Sequence, residues 1–345
     1  MRAAFRWPIV PKADNQVPAR LSEDRSIAFA GSVLHGRAGA TVRRYRALSL
    51  SIGLGVVLLS GCSIREYAIR NLADVLSSGG TTFASDDDPE LIRQALPFSL
   101  KLIESLLEET PRHRGLLLAA CSGFTQYAHA FVQQDADELG TRNLAAATVL
   151  WDRARKLYLR ARDYGLRGLD SAHPGFAAEL RKDPRWAVRS ARRADVPLLY
   201  WTAASWGAAI SISKDTPDLI ADQPIVEALI DRALELDESF EDGAIHTFLI
   251  TYEMVRQGAP TAPEVRARRH FERAVELSNG CSAAALVALA ETVCVQEQER
   301  SEFEHLLHAA LAVDVNARPP CRLKNLIMQR RARWLLSRAD ELFVE

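Results

Sequence analysis

Three segments of the chain place aromatic and polar side chains at helical spacing beside small residues. In residues 124–131 the aromatic side chains recur at steps of three and four, which puts them on one face of a helix. Residues 200–207 and 244–252 have a similar pattern. Apolar walls with a few polar tips are typical of small-molecule pockets. The segments predict either ordinary core or a ligand-binding pocket lined by Phe124, Tyr127, Phe131, Trp201, Trp206, His246 and Tyr252.

Sequence motifs for catalysis are missing. There is no H-E-x-x-H, G-x-S-x-G or Walker A pattern, and no C-x-x-C pair. His305 and His308 lie one helical turn apart, but no third ligand has an evident spacing, so a solvated helix face explains them. The sequence therefore predicts a protein that is not an enzyme and that has no catalytic residue, metal site or cofactor.

Cys62 carries the clearest predicted chemistry, a lipidation of its thiol. It ends the phrase Leu-Ser-Gly-Cys, which follows an uncharged apolar run, 47–59, and a basic cluster around Arg44. This layout is typical of a secretory signal peptide, and the run is shorter than the roughly 20 residues of a membrane span. Its end resembles the bacterial lipoprotein box, in which a diacylglyceryl group joins the cysteine. We expect acyl chains on Cys62 to anchor the chain in a membrane; the alternative is a signal anchor with a chance cysteine.

Cleavage before Cys62 would leave a shorter mature chain. The predicted regions are a removed signal region, 1–61, a lipidated linker with a short helix, 62–88, and a helical-repeat domain, 89–345. Residues 1–41 lack helical periodicity. We expect them to be disordered, or to precede the true first residue of the protein, Val42. Ser63 follows the cysteine, which by the usual bacterial sorting pattern favours the outer membrane. The predicted location is the periplasmic side of a bacterial membrane.

The predicted mature chain is acidic. The removed region holds nine basic and three acidic residues, so 34 basic and 41 acidic residues remain and the net charge is −7. Nucleic-acid binding normally needs a basic face, so we expect no nucleic-acid partner.

Four cysteines remain besides Cys62. In an oxidising compartment a bridge such as Cys281–Cys294 could form. The simpler expectation is that the four are small buried core residues, with Cys121 in an Ala-rich segment the clearest case.

Apolar residues recur with helical period along the whole mature chain, and strand patterns are missing, so the predicted fold class is all-α. Asp88 and Pro89 provide a helix start through capping and a favoured first position. The predicted helices are 89–110, 114–138, 143–169, 184–193, 196–213, 225–236, 243–255, 263–277, 282–293, 300–312 and 322–343.

The later helices carry a repeated phrase. Residues 233–237, 274–278 and 310–314 begin with alanine and end in an acidic or hydroxyl residue, at spacings of 41 and 36. A tetratricopeptide repeat has about 34 residues in one helix pair. Ala267, Phe271 and Ala274 match its small–aromatic–small pattern, in which alanines allow close helix approach. The prediction is a degenerate array of tetratricopeptide-like helical hairpins, an α-solenoid or bundle; the alternative is an irregular helical bundle.

Four phrases carry a family resemblance that covers the chain from Cys62 to about Phe343. They are GGTTFASDDDPEL at 79–91, LLLAACSGFTQYA at 116–128, DVPLLYW at 195–201 and QRRARWLL at 329–336. They resemble the T-component (TatT-like) lipoproteins of TRAP-type transporters, which are all-helical with cryptic tetratricopeptide-like repeats.

The resemblance implies a periplasm-facing, lipid-anchored transport accessory. It implies a periplasmic solute-binding protein as partner and a homo-oligomer such as a trimer. We expect a small apolar ligand to pass through the protein. A general helical-repeat scaffold lipoprotein in cell-envelope assembly is the alternative, and a neighbouring gene for a solute-binding protein would separate the two.

Overall fold

A computed structural model describes residues 81–213 and 215–344 of the chain. The predicted signal region and Cys62 lie outside the described residues, as does most of the predicted linker. The described residues contain helices and turns and no strand, so the all-α prediction is confirmed. None of their helices combines the length and the apolar character that crossing a membrane requires.

The first helices begin and end at residues that the sequence singles out. They are α1 (Thr81–Ala84) and α2 (Pro89–Glu109). The side chain of Asp88 accepts from the amides of Glu90 and Leu91, which satisfies two of the free donors at the start of α2. Pro97 lies inside α2 without ending it.

A π-helical turn interrupts the next predicted helix. It is composed of α3 (Arg114–Tyr127), the first π-turn (Ala128–Gln133) and α4 (Gln134–Gly140). The 29-residue α5 (Leu144–Ala172) follows, with its first turn capped by Asn143. A π-turn adds one residue to the helical period and rotates the side chains that follow it.

The middle of the chain consists of shorter helices. They are α6 (Phe176–Lys182), α7 (Pro184–Ala187), α8 (Val196–Ser211), α9 (Pro217–Ile220), α10 (Gln223–Leu236) and α11 (Ala244–Glu253), with 3₁₀ turns at Val188–Ser190, Arg193–Asp195 and Phe240–Asp242. The predicted continuous helix 184–193 is wrong. The backbone is extended at Ala191, and the carboxylate of Asp195 accepts from the Arg192 amide and so starts a separate turn.

The C-terminal helices contain a second π-turn. They are α12 (Pro263–Ser278), α13 (Ala283–Leu289), the second π-turn (Ala290–Cys294), α14 (Val295–Glu297), α15 (Arg300–Ala312), a 3₁₀ turn (Pro319–Cys321), α16 (Arg322–Leu336) and α17 (Ala339–Leu342). The predicted helix 322–343 is therefore two helices. The backbone leaves the helical region at Arg338, which precedes α17.

Small residues bring the helices into close contact, as the repeat phrases predict. Ala154 and Ala161 of α5 and Ala267 of α12 are fully buried. A Cβ added to Gly165 of α5 would lie 2.1 Å from the Thr202 hydroxyl of α8, so these two helices could not pack as they do with a larger residue. A match to tetratricopeptide geometry itself stays a prediction.

Helix α16 links two hydrophobic clusters. The larger cluster holds core residues from Ile92 to Tyr252, and the smaller holds core residues from Ile250 to Phe343. Leu323 and Ile327 of α16 pack against the larger cluster, whereas Ala332 and Leu335 of the same helix belong to the smaller. The last long helix thus bridges both parts of the described region.

Candidate functional site

Arg331 of α16 lies between the two π-turns. Its guanidinium forms a two-pronged pair with Glu291 of the second π-turn, in which Nε is 3.1 Å from Oε2 and Nη2 contacts Oε1. Its Nη1 lies 2.7 Å from Oδ2 of Asp137 and 3.3 Å from Oε1 of Gln134, both in α4 directly after the first π-turn. Burial opposes the charge of Arg331, but Glu291 and Asp137 outweigh it and raise its pKa above the ordinary range.

A second arginine extends this link to the N-terminal helices. Nη2 of Arg330 lies 2.8 Å from Asp135 and 2.7 Å from Glu138. Asp135 also pairs with Arg93 of α2, Nη2 to Oδ1 at 3.0 Å. Burial opposes ionisation of Asp135, yet hydrogen bonds from the two arginines hold its pKa below the usual range. The ion pairs therefore join α2, α4 and α16.

His129 of the first π-turn faces the Arg331 pairs from a surface that water can reach. Burial lowers the pKa of the imidazole, and the positive charge of Arg331 lowers it further. The imidazole of His129 is therefore neutral near pH 7, and it can both donate and accept a hydrogen bond.

Glu241 is also exposed to water and has a pKa that its surroundings shift. It is exposed, yet burial raises its pKa, while the charge of Lys324 and a hydrogen bond from the Trp201 indole lower it. Glu241 and Asp242 both have left-handed backbone angles, φ 45° and 58°. Such angles cost about 1–3 kcal/mol each at non-glycine residues and cluster at functional sites.

One face of α16 carries basic residues that act on both His129 and Glu241. Lys324 and Arg331 are seven residues apart, two helical turns, so they share a face of the helix. Lys324 acts electrostatically on Glu241, and Arg331 acts on His129. We call this region the inner surface and define it by His129, Trp201, Glu241, Glu291, Lys324 and Arg331. It is polar, with both signs of charge, and has one indole at its edge.

Comparison with known proteins identifies the family. The model of the TRAP transporter T-component matches residues 85–343. An uncharacterised protein of Treponema pallidum (strain Nichols) is 29% identical over 307 residues, which is 84% of this chain and 95% of that protein. The chain belongs to the TRAP transporter T-component family. The resemblance seen in the sequence is thereby confirmed, and with it a role as accessory component of a transporter.

In this T-component five of the seven predicted pocket residues belong to the larger hydrophobic cluster, namely Phe124, Tyr127, Phe131, Trp206 and Tyr252. Tyr127 and Phe131 contact each other with ring centroids 5.8 Å apart, whereas Phe124 on the same helix stacks on Tyr164. These three side chains are each at least nine-tenths buried. Tyr127 accepts a hydrogen bond from Arg153, 3.2 Å away.

The remaining four predicted residues differ in how much water they reach. Trp206 is fully buried, and its indole donates to Asp222 at 3.2 Å. His246 and Tyr252 are mostly buried in α11, with His246 Nδ1 2.8 Å from Nδ1 of His270. Trp201 is half-buried and reaches Glu241. Of the seven, Trp201 is the member that joins the inner surface.

Two surface grooves lie close to the predicted residues, and none of the seven lines either groove. One, of about 650 Å³, is lined by acidic and basic residues of α7 and α10 and includes Glu227, 3.4 Å from the Tyr252 hydroxyl. The other, of about 390 Å³, includes Tyr164, the stacking partner of Phe124. Sequence spacing identified the helix faces, but it missed the charged residues of the inner surface.

The cysteine and histidine candidates are placed as follows. Cys281 lies beside Cys321, whereas Cys294 is buried next to Glu302, so the suggested pairing of Cys281 with Cys294 is wrong. His308 bonds to the Glu304 carbonyl within α15. In the described ranges no group of three or more histidine, cysteine, aspartate or glutamate side chains is placed to hold a metal ion.

Proposed function

We propose that this T-component is a non-enzymatic, lipid-anchored, periplasm-facing subunit that docks a solute-binding protein of a TRAP-type transporter and passes a small ligand over its inner surface. The family match supports the transport role. The observation that carries the rest is that His129 and Glu241 are exposed to water beside the charges of Arg331 and Lys324. The Treponema pallidum relative is uncharacterised, so it adds no ligand or partner.

The ligand that best fits the inner surface is small and polar with one apolar edge. Arg331 is saturated by its carboxylate partners, which leaves His129, Lys324 and Glu241 as groups that can exchange hydrogen bonds with a passing solute. The Trp201 indole supplies an apolar wall beside them. The other six predicted aromatic and histidine residues are at least nine-tenths buried, so this proposal does not place them in contact with the solute.

The docking proposal is tested by measuring whether this T-component binds a TRAP-type solute-binding protein of the same organism. The measurement is the Kd between the two purified proteins by calorimetry or interferometry, with and without the solute of the binding protein. We expect Glu241→Gln and Lys324→Gln to slow solute transfer or to weaken binding about tenfold. Lys182→Gln is the matched control, because its side chain is 70% exposed and pairs only with Glu179 in its own helix. No binding, or equal effects of all three variants, would contradict the proposal.

Lipid anchoring is tested separately by labelling with a fatty-acid analogue in cells. The proposal expects label on the wild type and none on Cys62→Ala, because the thiol is the acylated group. Fractionation of the outer and inner membranes then tests the preference for the outer membrane. Equal labelling of both chains would rule out acylation at this cysteine.

We also propose that the T-component forms a homo-oligomer, with a trimer as the family resemblance implies. The supporting observation is on α2, where Leu91 and Phe98 lie seven residues apart on one face and are 54% and 73% exposed. Light scattering of the wild type and of Phe98→Glu tests this. A monomeric wild type, or an unchanged mass for the variant, would argue against this contact.

A further inference from the structure

Cys281 and Cys321 lie side by side just before α16. Their sulfur atoms are 3.9 Å apart, and both cysteines are free thiols. The S–S bond of a disulfide is about 2.05 Å long, so the two side-chain ends need to approach by about 2 Å to form one. This pairing crosses 40 positions of the chain and joins the start of α13 to the start of α16.

The backbone around the two thiols is already held in place. Asn325 is 1% exposed and lies one helical turn after Cys321. Its Nδ2 donates to the carbonyl oxygen of Cys281 at 2.9 Å, and its Oδ1 accepts from the amide of Ala283 at 3.0 Å. Because Cys321 directly precedes the helix that carries this amide clamp, the fold itself holds the two cysteines next to each other.

The two thiols differ in access and in charge environment. Cys281 is partly exposed, whereas Cys321 is 3% exposed. Nη1 of Arg318 lies 3.4 Å from the sulfur of Cys281, and its Nη2 lies 3.0 Å from Asp242. Burial raises the pKa of Cys321. Cys281 is therefore the thiol that an oxidant meets first.

We propose that Cys281 and Cys321 form a disulfide in the exported protein by exchange with the disulfide of a thiol–disulfide oxidoreductase. The Cys281 thiolate attacks one sulfur of that disulfide, and the other sulfur leaves as a thiolate. Cys321 loses its proton to water and attacks the sulfur of Cys281, which releases the oxidant's first sulfur as a second thiolate. Two electrons pass to the oxidant, two protons leave the protein, and one S–S bond forms as one breaks.

The bond would secure the helix that carries the inner surface. It closes a loop that contains α13, the second π-turn, α14 and α15, and fastens that loop to the start of α16. Lys324 and Arg331 lie on the same helix, so the bond restrains both. The disulfide rests on the export that the proposed function includes, because thiols of cytosolic proteins stay reduced.

Differential thiol labelling of the native protein tests the pairing. The full chain is taken from the cell envelope, its free thiols are blocked with one maleimide in denaturant, and a second maleimide follows reduction. We expect Cys121 and Cys294 to take the first label and Cys281 and Cys321 to take the second, as read by peptide mass spectrometry. First-label modification of Cys281 and Cys321, or a bridge from Cys281 to Cys294, would overturn the proposal.

A titration separates the pairing from the export on which it depends. The same chain made in a reducing cytosol is equilibrated with reduced and oxidised glutathione, and the Cys281–Cys321 bond should form. If the bond forms in glutathione but is missing from protein taken from the cell envelope, the cysteines can pair but the protein is not oxidised in the cell. That result would overturn the proposal at the step of export. No bond in either would overturn the pairing itself, whatever the protein's location.

Melting temperature gives an independent readout. Closure of a loop of this length stabilises a folded chain, so we expect reduction to lower the Tm of the oxidised wild type by on the order of 5–10 °C. Cys294→Ser should keep this sensitivity to reductant, whereas Cys281→Ser and Cys321→Ser should lose it. Equal shifts in all variants would contradict the bond, and a wild type that does not respond to reductant would contradict it without any variant.

Discussion

The two halves of α16 are fastened to the rest of the molecule by different chemistry. In the first half, which we call the amide end, the side-chain amides of Asn325 and Gln329 hydrogen-bond to main-chain groups at the start of α13, in α15 and just after α15. In the second half, which we call the ionic end, Arg330 and Arg331 pair with carboxylates of α4, more than 190 positions away in the chain. Neutral hydrogen bonds respond little to salt or pH, whereas ion pairs respond to both, and salt screens exposed pairs more than buried ones. The contact between α16 and α4 is therefore the adjustable one.

This difference matters for the proposed transport role. The inner surface contains residues from both sides of the adjustable contact, because His129 belongs to the first π-turn and Lys324 to α16. A small movement of α4 and the first π-turn relative to α16 would change the distance from His129 to Lys324. The amide end of α16 would stay attached during this movement. The following predictions test whether the ionic end and the amide end behave differently.

The largest effect is expected from Arg331→Met. The substitution removes the guanidinium, whose Cζ lies 4.3 Å from the centroid of the Trp334 ring, and leaves Asp137 and Glu291 without their cation. Loss of one partner of a largely buried pair costs about 3–5 kcal/mol. Urea unfolding measures the free energy of unfolding.

The matched control is Arg268→Met, which breaks a two-pronged pair with Glu302 at a more exposed position, 33% against 13% for Arg331. Its expected cost is up to about 1 kcal/mol. Equal costs for both variants would show that the position of Arg331 between the two π-turns gives it no special weight.

The amide end should give the next largest effect. Asn325→Ala removes two buried hydrogen bonds, to the Cys281 carbonyl and from the Ala283 amide, and leaves both groups unpaired. We expect a cost of about 2–3 kcal/mol. This cost should be the same in 0.05 M and 1 M salt, whereas the cost of removing the more exposed Arg330 should shrink in high salt. A salt-dependent cost for Asn325→Ala would remove the distinction between the ends.

Acid should weaken a third contact, the histidine pair between α11 and α12. His246 Nδ1 lies 2.8 Å from His270 Nδ1, so one neutral ring donates to the other. Burial and then the charge of His246 lower the pKa of His270 to about 4. A folded-state pKa below the unfolded value of about 6.5 gives stability that is present above pH 6.5 and is lost as the pH falls towards 4.

The expected loss between pH 6.5 and pH 4 is about 1–2 kcal/mol, after allowance for solvent around a partly exposed ring. The measurement is the free energy of unfolding of the wild type minus that of His270→Gln at each pH. The contributions of the carboxylates to the pH dependence are common to both proteins and cancel in this difference. A difference that is constant with pH would contradict the assignment of a neutral pair.

The sequence predicted the helices well where local chemistry defines their ends. Asp88, Pro89 and Asn143 mark starts through side-chain caps and a fixed backbone angle, and the structure has helices there. The two π-turns escaped prediction because their residues, such as Ala128 and Val132, suit an α-helix equally well. Arg331 contacts the second π-turn and the helix that follows the first one, and local spacing cannot reveal such distant partners.

The candidate site was predicted less well for a related reason. Helical spacing places Phe124, Tyr127 and Trp206 correctly on apolar faces, but only the neighbouring helices decide whether a face is core or cavity. Glu241 had a usable signal, the acidic pair before Gly243, which is typical of a left-handed turn. His129 had no such signal in the sequence, because the charged groups around its imidazole come from α4, α16 and the second π-turn.

The smallest predicted effect compares Arg330 with its neighbour Arg331. The side chain of Arg330 is 36% exposed and its partners Asp135 and Glu138 are 32% and 25% exposed, so solvent screens these pairs more than those of Arg331. When Arg330 is removed, Asp135 still pairs with Arg93, and Glu138 is the carboxylate that loses its arginine. We expect Arg330→Gln to cost about 1 kcal/mol and to lose that cost in 1 M salt. Urea unfolding at the two salt concentrations measures it. A cost close to that of Arg331→Met would mean that the ionic end acts as one unit, whereas the predicted gap assigns the closure of α16 on α4 mainly to Arg331.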